Sequence, residues 1–119
     1  MKILVVDDSK AMRMIVRRSL RKCEVAGGIE VVEAENGVCA LEVMEAEHPD
    51  LVLSDWNMPE MTGIEFLENV RGAGKTTRFG FVTSESTEEM KTRARDAGAD
   101  FFISKPFTVD ELQMKLDAA

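Results

Sequence analysis

The sequence predicts an α/β domain in which a parallel sheet carries helices on both faces. Short apolar runs alternate along it with longer segments of helical period, the pattern of a βα-alternating chain. The runs are apolar throughout instead of alternating with polar residues, as strands buried on both sides require. At 119 residues, 45% hydrophobic and 31% charged, the chain has the size and balance of one globular domain, not of a disordered or repeated one.

The first strand is Ile3–Val6, ended by Asp7 and Asp8. The next segment, Lys10–Lys22, is a helix with Met12, Ile15, Val16, Ser19 and Leu20 on its expected buried face and Arg13, Arg17 and Arg21 in a row on another. That row reads as a solvated face or as a docking surface for an acidic or phosphorylated partner. The second strand, Ile29–Ala34, ends in Glu35, Asn36 and Gly37 without an obvious reactive group, as an edge strand would, and leads to a helix over Val38–Ala46. Leu51–Ser54 is the third strand. Thr62 to Glu65 fits an S/T-x-x-E capping box and opens a helix over Ile64–Arg71, which Gly72 and Gly74 separate from the fourth strand, Phe79–Val82.

Ser86 to Glu89 offers the same box for a helix over Thr87–Ala97, stopped by Gly98 in a left-handed cap. Met90, Ala94 and Ala97 are its only apolar residues at core spacing, so this helix is thinly anchored and a candidate for motion. Phe101–Ile103 makes the fifth strand, and Thr108 to Glu111 caps a last helix over Val109–Asp117. Gly80, inside the fourth strand, is expected to weaken it. The eight methionines read mostly as core filling.

Fifteen Lys and Arg against 22 Asp and Glu leave a net charge of −7, which lacks the broad positive field that a nucleic acid backbone needs. The start holds too few apolar residues before its acids for a signal peptide or a membrane span, so a cytoplasmic location is expected. Cys23 and Cys39 stand apart from any C-x-x-C or Cys/His cluster and read as reduced packing residues. His48, before Pro49, reads as a solvated loop residue.

The chemistry lies at the C-terminal ends of the strands. Asp7 and Asp8 stand at the end of the first, Asp55 of the third, Thr83 of the fourth and Lys105 of the fifth. In a parallel sheet all strand C-termini share one edge, so these residues can meet. Three carboxylates there would repel one another unless a cation sits among them, and an oxygen-only set without His or Cys argues for Mg2+. Lys105 supplies a compact positive charge and Thr83 a hydroxyl donor, the remaining tools for holding a phosphoryl group. An Asp can be the nucleophile that forms an aspartyl phosphate, and Asp55, the lone acid at a central strand end, is the best placed. Pro106 suits a tight turn, cis included, that would fix the backbone aiming Lys105.

These residues, Asp7 and Asp8, Asp55, Thr83 and Lys105-Pro106-Phe107, resemble the response-regulator receiver domain of two-component signalling over essentially the whole chain. Within that family the run from Ser54 to Gly63 is most similar to the single-domain chemotaxis regulators. It is the resemblance, and not the sequence pattern, that implies a doubly wound, flavodoxin-like five-stranded sheet of order 2-1-3-4-5. It implies that Asp55 accepts a phosphoryl group from a histidine kinase or phosphotransfer protein. It implies too that Asp8 and Asp55 bind Mg2+ with Asp7 acting through water, and that the backbone carbonyl of Asn57 completes the set. Lys105 would contact the phosphoryl group, Thr83 would swing toward it, and Phe102 would turn inward, so that phosphate biases two packings of one domain.

Asn57 and Glu85, two beyond Asp55 and Thr83, occupy the positions where the family tunes access of hydrolytic water. Phe102 stands where chemotaxis regulators carry Tyr, which keeps a rotamer switch without its hydroxyl contact. Trp56 is expected as a partly exposed ring beside the site, with a packing anchor as the other reading. The resemblance implies a protein that catalyses only its own phosphorylation and dephosphorylation. The chain stops after the fifth helix, so residues 1–119 are expected to form a single receiver domain, monomeric and without an output domain. Output would pass through the surface of the fourth helix, fifth strand and fifth helix, around Met90, Phe102 and Leu112, to a protein such as the flagellar motor switch; a phosphate sink for a kinase is the alternative. Neither nucleic acid nor membrane is expected as a partner.

Two rivals come from other classes. A Mg2+-dependent aspartyl-phosphate phosphatase or phosphotransferase would need a second acid two residues after its nucleophile, where Asn57 stands. A flavin module of the same topology would need backbone donors after the first strand, where Asp7 and Asp8 would repel a phosphate.

Overall fold

The computed structural model describes residues 1–118. Strands and helices alternate strictly: β1 (Lys2–Val6), α1 (Lys10–Arg21), β2 (Glu30–Ala34), α2 (Gly37–Glu47), β3 (Leu51–Ser54), α3 (Gly63–Gly72), β4 (Arg78–Thr83), α4 (Glu88–Asp96), β5 (Phe101–Ser104) and α5 (Val109–Asp117). The five strands pair in parallel in the order β2-β1-β3-β4-β5. The expected elements are all present within about a residue of their predicted bounds, and β2 is an edge strand.

The apolar runs are continuous because both faces of the sheet are covered. Leu4, Val6, Val52, Phe79 and Phe81 point into one core with Ala40, Met44, Phe66, Leu67 and Val70. Their neighbours Ile3, Val5, Leu51, Leu53 and Val82 point into the other with Val16, Leu20, Leu112 and Leu116. Side-chain alternation along each strand thus feeds two cores, with α2, α3 and α4 on one face and α1 and α5 on the other. Cys23 and Cys39 are free and pack partly against opposite cores.

Helix starts obey local chemistry. Ser9, Asn36, Thr62, Thr87 and Thr108 each accept a backbone N–H in the first turn that would otherwise lack a partner. At α3 the box is reciprocal, the Glu65 carboxylate accepting the Thr62 amide at 3.0 Å. At α4 the cap is Thr87, one residue past the predicted Ser86, because its hydroxyl reaches the Met90 amide at 3.1 Å. Gly98 ends α4 at φ 104 and Gly74 comes just after α3 at φ 79, left-handed positions where a side chain would be strained.

Several expectations are corrected. Ile15 is 45% exposed and so leaves the predicted buried face of α1. The arginine row is not uniform: Arg13 and Arg17 both pair with Glu33 on β2, while Arg21 is exposed. Gly80 is not a loose point, since the Phe101 ring occupies the space a Cβ would need. The methionines do mostly fill the cores, since Met44 and Met58 are buried and Met1, Met61 and Met90 pack against the cores, but Met14 and Met114 are exposed. Leu112 is fully buried and cannot belong to a contact surface. His48 is exposed and closes α2 in a left-handed conformation.

Candidate functional site

The C-terminal ends of β1, β3, β4 and β5 meet at one edge of the sheet. Because Val6 is the register partner of Ser54, the chain delivers Asp7 and Asp55 side by side. One carboxylate oxygen from each of Asp7, Asp8 and Asp55 lies within 4.8 Å of the others. Ser104 pairs with Thr83 across β4 and β5, which sets Lys105 beyond Thr83 on the same edge.

Asp7 is 3% exposed and held on every side. Its amide donates to the Ala34 carbonyl at 3.2 Å, its Oδ1 accepts the Ser9 amide at 2.9 Å, and its Oδ2 accepts Lys105 Nζ at 3.0 Å. Lys105 thus sits tightly on Asp7 and at 4.0 Å from Asp55 Oδ2. Asp8 is exposed and Asp55 half-buried, its Oδ1 accepting the Trp56 amide at 2.8 Å. Burial pushes the Asp55 carboxyl above the usual carboxylate range; the Lys105 charge and the Trp56 amide oppose this, and the Asp7 charge adds to it. Three acids against one lysine leave excess negative charge lined by oxygen donors alone. That donor set fits a hard divalent cation.

The loop carrying Asp55 is folded tightly onto the start of α3. The Gly63 amide donates to the Trp56 carbonyl at 2.7 Å, and a Cβ on Gly63 would overlap the Asp55 carbonyl oxygen. Only glycine fits there. Trp56, expected partly exposed, is instead 7% exposed and packs its ring against Phe81 at 4.9 Å, with Phe102 at 6.5 Å and the Arg93 guanidinium at 6.0 Å. It is the packing anchor. Phe102 is half-buried, 6.2 Å from Phe81. Thr83 is buried at the floor of the site, its hydroxyl accepting the Glu85 amide at 3.4 Å. Across the mouth, Asn57 Nδ2 donates to Glu85 Oε1 at 3.2 Å. The Lys105-Pro106 peptide is cis.

Sequence reasoning missed two neighbours of the site. Arg13 Nη1 donates to the Asp7 carbonyl oxygen, and Glu33 holds Arg13 in turn. The signal was a carboxylate inside the apolar run Val31-Val32-Glu33-Ala34, facing an arginine pair spaced one helical turn apart.

A family model described as the response regulator receiver domain matches residues 3–117. The chain belongs to that family. This receiver is 40% identical over 119 residues to the chemotaxis protein CheY-3 of Vibrio cholerae, covering 98% of this chain and 89% of the relative. It is 36% identical to the chemotaxis protein CheY of Pseudomonas aeruginosa, covering 98% and 94%. Among solved structures it is similar to CheY4 of Vibrio cholerae, with TM-score 0.85 and 36% identity over 97% of this chain and 94% of that one. The receiver domain of the Francisella response regulator 1452 superposes with TM-score 0.86 at 28% identity, over 98% and 93%. The receiver is therefore a signalling protein of the two-component type rather than a true enzyme, which sets aside the phosphatase rival. A histidine kinase is the partner its family implies, and its three aspartates are the acidic set typical of a receiver's Mg2+ site.

Proposed function

We propose that this receiver accepts a phosphoryl group on Asp55 from a phosphohistidine, with Mg2+ held by Asp8, Asp55 and the Asn57 carbonyl and by Asp7 through water, and that it serves control of motility. The observation carrying the proposal is the convergence of three carboxylates and one lysine at a single sheet edge. Bound Mg2+ would supply charge neutralisation for the phosphoryl oxygens. An Asp55 carboxylate oxygen attacks phosphorus, the P–N bond to the imidazole breaks, and the imidazole leaves with that electron pair. Lys105 then exchanges its contact with Asp7 for a phosphoryl oxygen, and the Thr83 hydroxyl donates to another. Asn57 and Glu85, bonded across the mouth, limit the water that hydrolyses the product.

The change at Thr83 passes to α4 and β5. Only Ala94 of α4 is fully buried, so little holds this helix against a shift. Output is association through the α4, β5 and α5 surface around Met90, Phe102 and the exposed Met114. On the kinase side, the outward face of α1 carries Lys10, Arg18 and Arg21, with Lys22 at its C-terminal cap, around exposed Met14 and Ile15, a basic surface on an acidic protein. No described helix is long and apolar enough to cross a membrane. Residues 1–119 act in this proposal as one cytoplasmic, monomeric receiver unit.

Intact mass after incubation with acetyl phosphate tests the chemistry. A Mg2+-dependent phosphate adduct on the wild type that Asp55→Ala lacks is the expected result. An adduct that survives in Asp55→Ala, or forms equally in EDTA, would overturn the assignment.

A further inference from the structure

An ion-paired network beside the site takes no part in the phosphoryl transfer itself. The Arg13 side chain on α1 is only 13% exposed, with Nε donating to Glu33 Oε1 at 3.0 Å and Nη1 donating to the carbonyl oxygen of Asp7. Arg17, one turn further on, donates to the other Glu33 oxygen. The Asp7 carbonyl belongs to the peptide that joins Asp7 to Asp8. Its orientation therefore sets where the Asp8 side chain leaves the backbone.

The two aspartates differ in what holds them. The Asp7 carboxylate is pinned by the Ser9 amide and Lys105, whereas Asp8 is exposed and relies on its backbone for direction. Glu33 has a second consequence: by engaging the guanidinium it keeps a cation that forks readily onto carboxylates committed to the edge strand.

We propose that Arg13 is a positioning residue of the acidic site: held by Glu33, it fixes the Asp7–Asp8 peptide and so sets the Asp8 carboxylate for a divalent cation. The inference rests on the reading of Asp7, Asp8 and Asp55 as a Mg2+ site. Charge and positioning predict opposite signs for its loss. Arg13 is a positive charge next to a cation site, so on charge alone its removal tightens Mg2+ binding; loss of positioning weakens it. Residues that orient metal ligands change affinity by about 10–100-fold when replaced.

The experiment is titration calorimetry with Mg2+ on the full chain, beside amide NMR spectra of the metal-free protein. Arg13→Gln should weaken Mg2+ binding about tenfold and move the Asp8 amide resonance. Arg13→Lys, which keeps the charge and can reach only one of the two acceptors, should weaken it less. Arg17→Gln removes the same charge from Glu33 without touching Asp7, and should leave both the affinity and the Asp8 resonance near wild type. Binding at or above wild-type affinity in Arg13→Gln overturns the proposal, as does an equal loss in Arg17→Gln. Wild-type protein that takes up no Mg2+ overturns the underlying site assignment instead, a result distinct from either.

Discussion

Gly80 on β4 and Phe101 on β5 are register partners, and the Phe101 ring fills the place where a Cβ on Gly80 would lie. The ring is held there by the Arg78 guanidinium at 5.1 Å and the Lys115 ammonium at 5.9 Å from its centroid. A residue that reads in sequence as a weak point of the strand is thus the seat of an aromatic side chain beside the output surface.

Gly80→Ala should therefore destabilise the protein despite the better strand propensity of alanine. Forcing a methyl against a packed ring costs about 1–3 kcal/mol. Urea denaturation should show it, and Phe101→Leu should recover part of the loss in the double variant. Unchanged stability in Gly80→Ala would rule out close packing at this position.

Lys105 is the cation that the structure places against two of the three acids, and its side chain is only 11% exposed. Lys105→Met leaves the buried Asp7 carboxylate without its partner, at a cost of about 3 kcal/mol in EDTA. Added Mg2+ should restore more stability to this variant than to wild type, because the ion replaces the missing charge. Equal responses to Mg2+ in the two proteins would count against a shared charge role.

Among the described residues, Glu65 is an acid outside the site whose carboxyl is held below the usual range. The Thr62 amide and hydroxyl hold its carboxyl below the usual value, so the folded state releases that proton more readily than the unfolded chain. The stabilisation is present above the ordinary carboxylate range and is lost as pH falls through the lowered folded value. Glu65→Gln should be less stable than wild type at neutral pH, the gap narrowing below about pH 4. Chemical denaturation at neutral pH and near pH 3 compares the two; a gap independent of pH would remove the charged cap as its cause.

Gly63→Ala should damage the site more than the fold. The added methyl meets the Asp55 carbonyl oxygen, and backbone cannot yield as a side-chain tip can. We expect a shifted Asp55 loop, seen as weaker Mg2+ binding and slower labelling by acetyl phosphate, with the far-ultraviolet circular dichroism unchanged. Wild-type labelling rates would contradict a tight loop.

The sequence by itself determined the alternation of strands and helices, the apolar strand runs that feed both cores and the set of groups at the strand ends. Each comes from local rules: side chains of a doubly covered strand must all be apolar, capping needs Ser, Thr or Asn at a helix start, and parallel strands bring their C-termini to one edge. Asp7, Asp8, Asp55, Thr83 and Lys105 were legible for that reason. The strand order came from likeness to a family, since pairing of strands far apart in the chain leaves little mark on any one of them.

Tertiary structure alone decided what each group faces. Arg13 and Arg21 look equivalent along α1, yet Arg13 is folded onto Glu33 of the edge strand and onto Asp7 while Arg21 is exposed. Trp56 reads as a ring near the site until Phe81 is brought under it. Gly80 reads as slack until Phe101 arrives from the next strand. Periodicity tells which side of a helix or strand is apolar, but which neighbour fills the space against it depends on contacts between residues distant in sequence, and those exist only once the sheet has closed its register.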